Sequence, residues 1–149
     1  MRVESLLKEK GADIIKIDAA SMAINAVHKM IDRNIGALLV EKEGRLVGLV
    51  TERDIVKHIA QDGRPLDQVE ISELMIERDK LVVCEPKDDV DYAMTAMIQK
   101  RVRHMPVVDQ HNIVGILSIR DVAKAHVKTI KAELHYLKDY VLEAYPTTG

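Results

Sequence analysis

The chain is 149 residues long, 47% hydrophobic and 31% charged, with a formal net charge of −2. That is enough chain for one compact core, or two small ones sharing it, and too apolar a composition for a disordered protein. With no Trp, no Phe, four Tyr and no positive excess, it lacks the stacking platforms and the electrostatic attraction on which nucleic-acid binding draws.

The opening Met-Arg-Val-Glu-Ser has no signal-peptide core, and no apolar run reaches membrane-spanning length, so a cytoplasmic protein off the membrane is expected. Val3-Glu4-Ser5-Leu6-Leu7 is echoed later by Ile71-Ser72-Glu73-Leu74-Met75. Residues 14–17 read as a short strand, and Ser21 as the N-cap of a helix on which Met22, Ala23, Ala26, Val27, Met30 and Ile31 share a face. A strand from Ala37 to Val40, a tight turn at Glu43-Gly44, a second strand and a second helix complete a β-α-β-β-α unit. Gln61-Asp62-Gly63-Arg64-Pro65 then reads as a turn-rich linker.

After the linker the pattern returns. Shifting the chain by 67 positions aligns residues 14–57 with 81–124 without a gap, and nine positions match identically, among them Ala26/Ala93, Met30/Met97, Gly48/Gly115, Arg53/Arg120 and Asp54/Asp121. In the second copy residues 81–84 stand as the first strand, Asp88 as the N-cap, and Met105 to Val108 as the middle strand before a turn at Gln110-His111-Asn112. Cys84, the single cysteine, excludes an intramolecular disulfide and is expected to be a buried, inert thiol. The expected organisation is a first repeat over 3–60, a linker over 61–70, a second repeat over 71–127, and a C-terminal helix and tail over 128–149. In that last segment Ile130, Leu134, Leu137, Val141 and Ala144 form one stripe, which fits either the protein's own core or a dimer contact, and Pro146 and Gly149 mark a frayed end.

Each repeat ends alike: Leu46-Val-Gly-Leu-Val-Thr-Glu-Arg-Asp54 and Ile113-Val-Gly-Ile-Leu-Ser-Ile-Arg-Asp121. Thr51 with Asp54, and Ser118 with Asp121, thus stand where a strand hands over to a helix, and a helix N-terminus attracts anions. A carboxylate there can accept two hydrogen bonds from a vicinal diol. The same spacing also makes a capping box, in which hydroxyl and carboxylate merely satisfy backbone amides. Gly48 and Gly115 allow close approach of a ligand or of packed chain. The six histidines have no ligand-like spacing, and no nucleophile–base pair or Gly-rich phosphate loop is present, so neither a metal site nor catalysis is expected.

Two β-α-β-β-α copies, each closing on Gly-apolar-apolar-Thr/Ser-x-x-Asp, resemble a pair of cystathionine β-synthase (CBS) domains, known together as a Bateman module, over residues 3–124. His104-Met105-Pro106-Val107-Val108-Asp109 and Glu85-Pro86 are similar to further family motifs; the first repeat departs from both, with Leu39 and Ala19 in place of the prolines. The resemblance implies an α/β (α+β) fold of two pseudo-symmetric repeats forming one module, here with an added C-terminal helix. It implies two clefts between the repeats that take AMP, ADP, ATP or S-adenosylmethionine as a regulatory ligand, with no cofactor required. By position, the main cleft would use Asp121 and Ser118 on the ribose and phosphate, with Arg120, Arg103, His104, Ala12, Asp13, Ile14, Gly36 and Ala37; the second would use Asp54, Thr51, Arg53, Asp79, Lys80 and Leu81. Arg103, His104 and Arg120 against Gly36, Ala37 and Arg53 favour phosphorylated ligands at Asp121. The expected protein is a non-enzymatic regulator, a homodimer acting on an unidentified protein. The competing readings are an interaction module with vestigial clefts and, third, a nucleic-acid binder.

Overall fold

The computed structural model describes residues 1–11 and 14–144, with side chains as far as Val141; the features expected at Ala12, Asp13, Pro146 and Gly149 lie outside them. It is a mixed α/β fold of two compact units, divided between Val82 and Val83, with the N-terminal helix α1 (Val3–Lys10) belonging to the second.

In the first unit, β1 (Lys16–Asp18) lies parallel to β2 (Ala37–Lys42), β2 pairs antiparallel with β3 (Arg45–Thr51), and β4 (Ile76–Glu77) closes the sheet in the order β1-β2-β3-β4. Helices α2 (Ala23–Arg33) and α3 (Glu52–Gln61) complete it around a core that includes Ile17, Ala26, Met30, Leu38, Val40, Val50 and Ile55. The second unit repeats the plan with α4 (Val90–Lys100), β5 (His104–Asp109), β6 (Asn112–Ser118) and α5 (Ile119–Ala144). Its buried Ala93, Met97, Met105, Val107, Leu117 and Val122 stand 67 positions after their counterparts, so the repeat is a repeat of core as well as of sequence. Both hairpins turn through two residues of positive φ, Glu43 (53°) with Gly44 (76°) and Gln110 (48°) with His111 (71°), the geometry whose twist matches that of the flanking strands. Both also carry an irregularity at the same place, Val40/Glu41 and Val107/Val108.

The units differ in their first strand. Residues 81–84 were expected as a strand, but only Cys84 bridges β5, with Cys84 N–H donating to the Pro106 carbonyl at 3.1 Å and Val108 N–H to the Cys84 carbonyl at 2.8 Å. The next ladder bond toward the N-terminus needs an amide donor at position 106, and proline has none. At the matching position Leu39 donates to the Ile15 carbonyl at 3.2 Å, and β1 forms beside it. The expected N-caps also move by one residue. The caps are Met22, which offers no side-chain bond, and Asp89, whose carboxylate accepts from Asp91 N–H at 2.8 Å; Asp88 instead closes the preceding turn by accepting from Glu85 N–H at 2.8 Å.

The segment before each repeat packs on the other one. Val3 and Glu4 amides donate to the carbonyls of Asp88 and Pro86, each at 2.9 Å, while Ile71 and Ser72 donate to Ser21 and Ala19 at 2.9 and 3.0 Å. These are the same two bonds made twice. The packing units therefore do not follow the sequence boundaries at 3 and 71: α1 sits with the second repeat, and residues 71–77 sit with the first.

The helix expected from residue 128 is continuous with the last helix of the second repeat, forming one 26-residue α5. Val122 and Ala125 are its buried residues, whereas Ile130, Leu134, Leu137 and Val141 are 41, 53, 55 and 53% exposed. The stripe does not pack on the protein's own core.

Cys84 is buried as expected. Burial, with the nearby charge of Asp88, pushes its thiol pKa up to about 12. The folded protein at pH 8 should therefore leave a disulfide reagent unreacted and react with it once denatured. Stoichiometric labelling of the native protein within minutes would contradict this.

Candidate functional site

The strand–helix junctions are both capping boxes. At the first, Asp54 Oδ2 accepts from Thr51 N–H (2.8 Å) and from Thr51 Oγ1–H (2.9 Å), and Asp54 N–H donates to Thr51 Oγ1 at 3.3 Å. At the second, Asp121 Oδ2 accepts from Ser118 N–H at 2.8 Å, and Asp121 N–H donates to Ser118 Oγ at 3.1 Å. The capping chemistry is thus realised at both places, and it aims each carboxylate along the helix axis at the positive end of the dipole. The Thr51 and Ser118 amides thus reach Oδ2 of their carboxylates.

The loop before each middle strand meets its own unit's junction. Ala37 pairs with Thr51 and the Gly36 carbonyl accepts Glu52 N–H at 3.0 Å; likewise His104 pairs with Ser118 and the Arg103 carbonyl accepts Ile119 N–H at 2.8 Å. Within the units, then, Arg103, His104, Ser118, Arg120 and Asp121 come together, and Gly36, Ala37, Thr51, Arg53 and Asp54 come together. The exposed Arg53 and Arg120 are the second residues of their helices. Ile14 is half-buried in the first unit. Asp79, Lys80 and Leu81 follow β4, whose register with Gly48 and Leu49 carries the chain toward Leu46, the opposite end of β3 from Thr51. That register does not bring them to Asp54.

A residue absent from the sequence-derived site stands closest to it. Lys10, in the last turn of α1, places its ammonium 2.7 Å from Asp121 Oδ2 and 2.6 Å from the Ile116 carbonyl. Burial works against the charged form of Asp121, but the bond and charge of Lys10 and the amide and hydroxyl of Ser118 outweigh it, and the carboxyl lies below its ordinary pKa. It is therefore ionised at neutral pH. The stability it contributes is present above the ordinary carboxylate pKa and is lost as pH falls through the depressed value. By the echo of residues 3–7 in 71–75, Arg78 is the counterpart of Lys10, yet among the described residues it reaches the Leu46 carbonyl, at 3.4 Å, and not Asp54. Among the described residues no ion pair to Asp54 is formed. The echo was the one signal in the sequence that pointed toward α1.

Two hollows flank these junctions. Arg120, Lys124, Lys128 and Lys131 surround Ala123 and Val127 in a shallow basic depression on α5. Beside Asp54, a polar hollow holds Arg64 between Asp62 and Glu73, at 3.1 and 3.0 Å, over the buried His58, whose Nε2 lies 2.9 Å from the Arg64 carbonyl. Its charges are largely satisfied by one another. No group of three His, Cys, Asp or Glu placed to hold a metal occurs among the described residues, and no described helix is long and apolar enough to cross a membrane.

Known proteins share this architecture. The family model described as the CBS domain matches residues 8–61 and again 71–128. The mitochondrial CBS domain-containing protein CBSX3 of Arabidopsis thaliana is 36% identical over 124 residues, 81% of this chain; the chain spans only 60% of that relative's length. A solved CBS-domain containing protein of Agrobacterium tumefaciens is 33% identical with a TM-score of 0.80, covering 85% of this chain and 99% of that one. The CBS domain pair of protein MJ0100, solved in complex with methylthioadenosine and S-adenosyl-L-methionine, is 26% identical with a TM-score of 0.70, covering 87% of this chain and 98% of that one.

Proposed function

This chain belongs to the CBS domain family, of which it carries two copies, and we propose that it is a regulatory module that binds an adenosine-containing ligand at its strand–helix junctions and thereby alters its contacts with a partner protein. The observation that carries the reading is Asp121, a carboxylate held ionised and oriented at a helix N-terminus, with the Lys10 ammonium on it and the backbone of Arg103 and His104 paired to its junction. Such a group accepts ribose hydroxyls, while the cations and the α5 amides meet phosphate. The adenosyl ligands of the MJ0100 pair support the same chemistry. We assign the protein no catalytic step and no resident cofactor, place it in the reducing cytoplasm, and take it to be a homodimer.

Phosphorylated ligands should prefer the Asp121 junction, because Lys10 contacts its carboxylate and Arg103, His104 and Arg120 belong to that junction, where the Asp54 junction has Gly36, Ala37 and Arg53 at the positions matching the last three. Calorimetry should find tight AMP binding at about one per chain. When the ribose takes Asp121, Lys10 is released to pair with phosphate, so Lys10→Met should weaken AMP several-fold while leaving adenosine unchanged or tighter. Two equal, independent AMP sites per chain, or equal loss of AMP and adenosine in Lys10→Met, would reject this assignment. The two complete capping boxes favour one competing reading, a structural module with empty junctions. Mass spectrometry of small molecules released from the denatured, freshly purified protein separates the two, since the structural module carries none.

A further inference from the structure

We infer that the homodimer is held by α5, through a parallel two-stranded coiled coil between its C-terminal half and that of a second copy of this chain. The inference rests on the homodimer reading above and gives it an interface. The helix continues for about five turns past Ala125, its last buried residue, and projects clear of its own unit. Along that projection Val127, Ile130, Leu134, Leu137 and Val141 alternate by three and four, the a and d positions of a heptad. All five are between 41 and 55% exposed. A projecting helix with a bare apolar stripe is marginal in water unless the stripe is covered.

The charges beside the stripe say what covers it. Glu133 falls at a g position and Lys138 at the e position five residues on, so in a parallel, in-register pair each Glu133 faces Lys138 of the second copy. An antiparallel pair would instead set Lys131 and Lys138, both at e positions, against one another. Valine at two of the three a positions and Leu137 at d fit two strands. The stripe is self-complementary and needs no other partner.

The test uses full-length protein at tens of micromolar. Light scattering should give wild type twice the chain mass, and a Leu134→Glu, Leu137→Glu variant half the mass of wild type. That variant should keep its cooperative thermal unfolding transition, because the altered side chains are exposed and lie outside both cores, with any loss of helical circular dichroism confined to about the five turns past Ala125. A separate Leu137→Cys variant should cross-link on mild oxidation into a dimer, since Cys84 is buried and silent. A monomeric wild type would overturn both the homodimer and the coil. A dimeric wild type whose double-glutamate variant stays dimeric would overturn the coil alone. Failure of Leu137→Cys to cross-link in a dimeric protein would overturn the parallel register.

Discussion

An Asp121→Ala variant titrated with AMP in a calorimeter is expected to bind more than tenfold more weakly than wild type while remaining folded. In the proposed binding mode this carboxylate accepts the ribose hydroxyls, and charge-assisted hydrogen bonds contribute about 1.5–3 kcal/mol each. Losing about 2 kcal/mol corresponds to a factor of about 30 in affinity. The same substitution removes the carboxylate half of the α5 capping box, at about 1 kcal/mol, while Ser118 Oγ still accepts the amide of residue 121; it also removes an ion pair with Lys10 that is partly exposed and adds at most about another 1. Both are stability effects and shift the unfolding midpoint without abolishing the fold. Asp121→Asn keeps a capping acceptor but loses the charge, so it should recover stability and not affinity. The matching Asp54→Ala change should leave the tight AMP phase in place. Unchanged AMP affinity in Asp121→Ala would reject the assignment outright.

The largest stability loss is expected at Gly48. A Cβ there would lie 2.5 Å from the Ile76 carbonyl oxygen and 2.8 Å from Met75 Sδ. The carbonyl belongs to β4, whose pairing with β3 holds the sheet edge, so the clash is relieved only by parting two strands. Gly48→Ala should cost about 3 kcal/mol, the upper end for overpacking, and Gly48→Val more. For a chain of this size that lowers the melting temperature by about 10 °C. At Gly115 the same Cβ would meet Leu7 Cδ2 at 2.6 Å, the far end of a side chain on α1 that can turn away. Gly115→Ala should therefore cost about 1 kcal/mol. Thermal unfolding followed by circular dichroism decides it, and equal losses at the two glycines would show that β4 yields as easily as a leucine side chain.

The amino-acid sequence alone determined the repeat, the β-α-β-β-α order and the family, because core periodicity and turn residues are local and were written twice in register. It also determined the positions of Thr51, Asp54, Ser118 and Asp121 at strand–helix junctions, since capping is a contact between residues three apart. It even held the reason for the unequal first strands. Pro106 has no amide to donate where Leu39 does, although that mattered only once β5 was seen beside Cys84. The tertiary structure decided what lies far apart in the chain. Nothing in the neighbourhood of Lys10 marks it as the partner of Asp121, 111 residues away, because that contact depends on α1 packing on the second repeat instead of the one it precedes. For the same reason the close approaches at Gly48 and Gly115 proved to be filled by Met75 with Ile76 and by Leu7, segments that each precede the other repeat. The apolar stripe of α5 was legible as a stripe, but its periodicity suits the protein's own core as well as a dimer contact, and only its exposure showed that Ile130, Leu134, Leu137 and Val141 do not pack on that core.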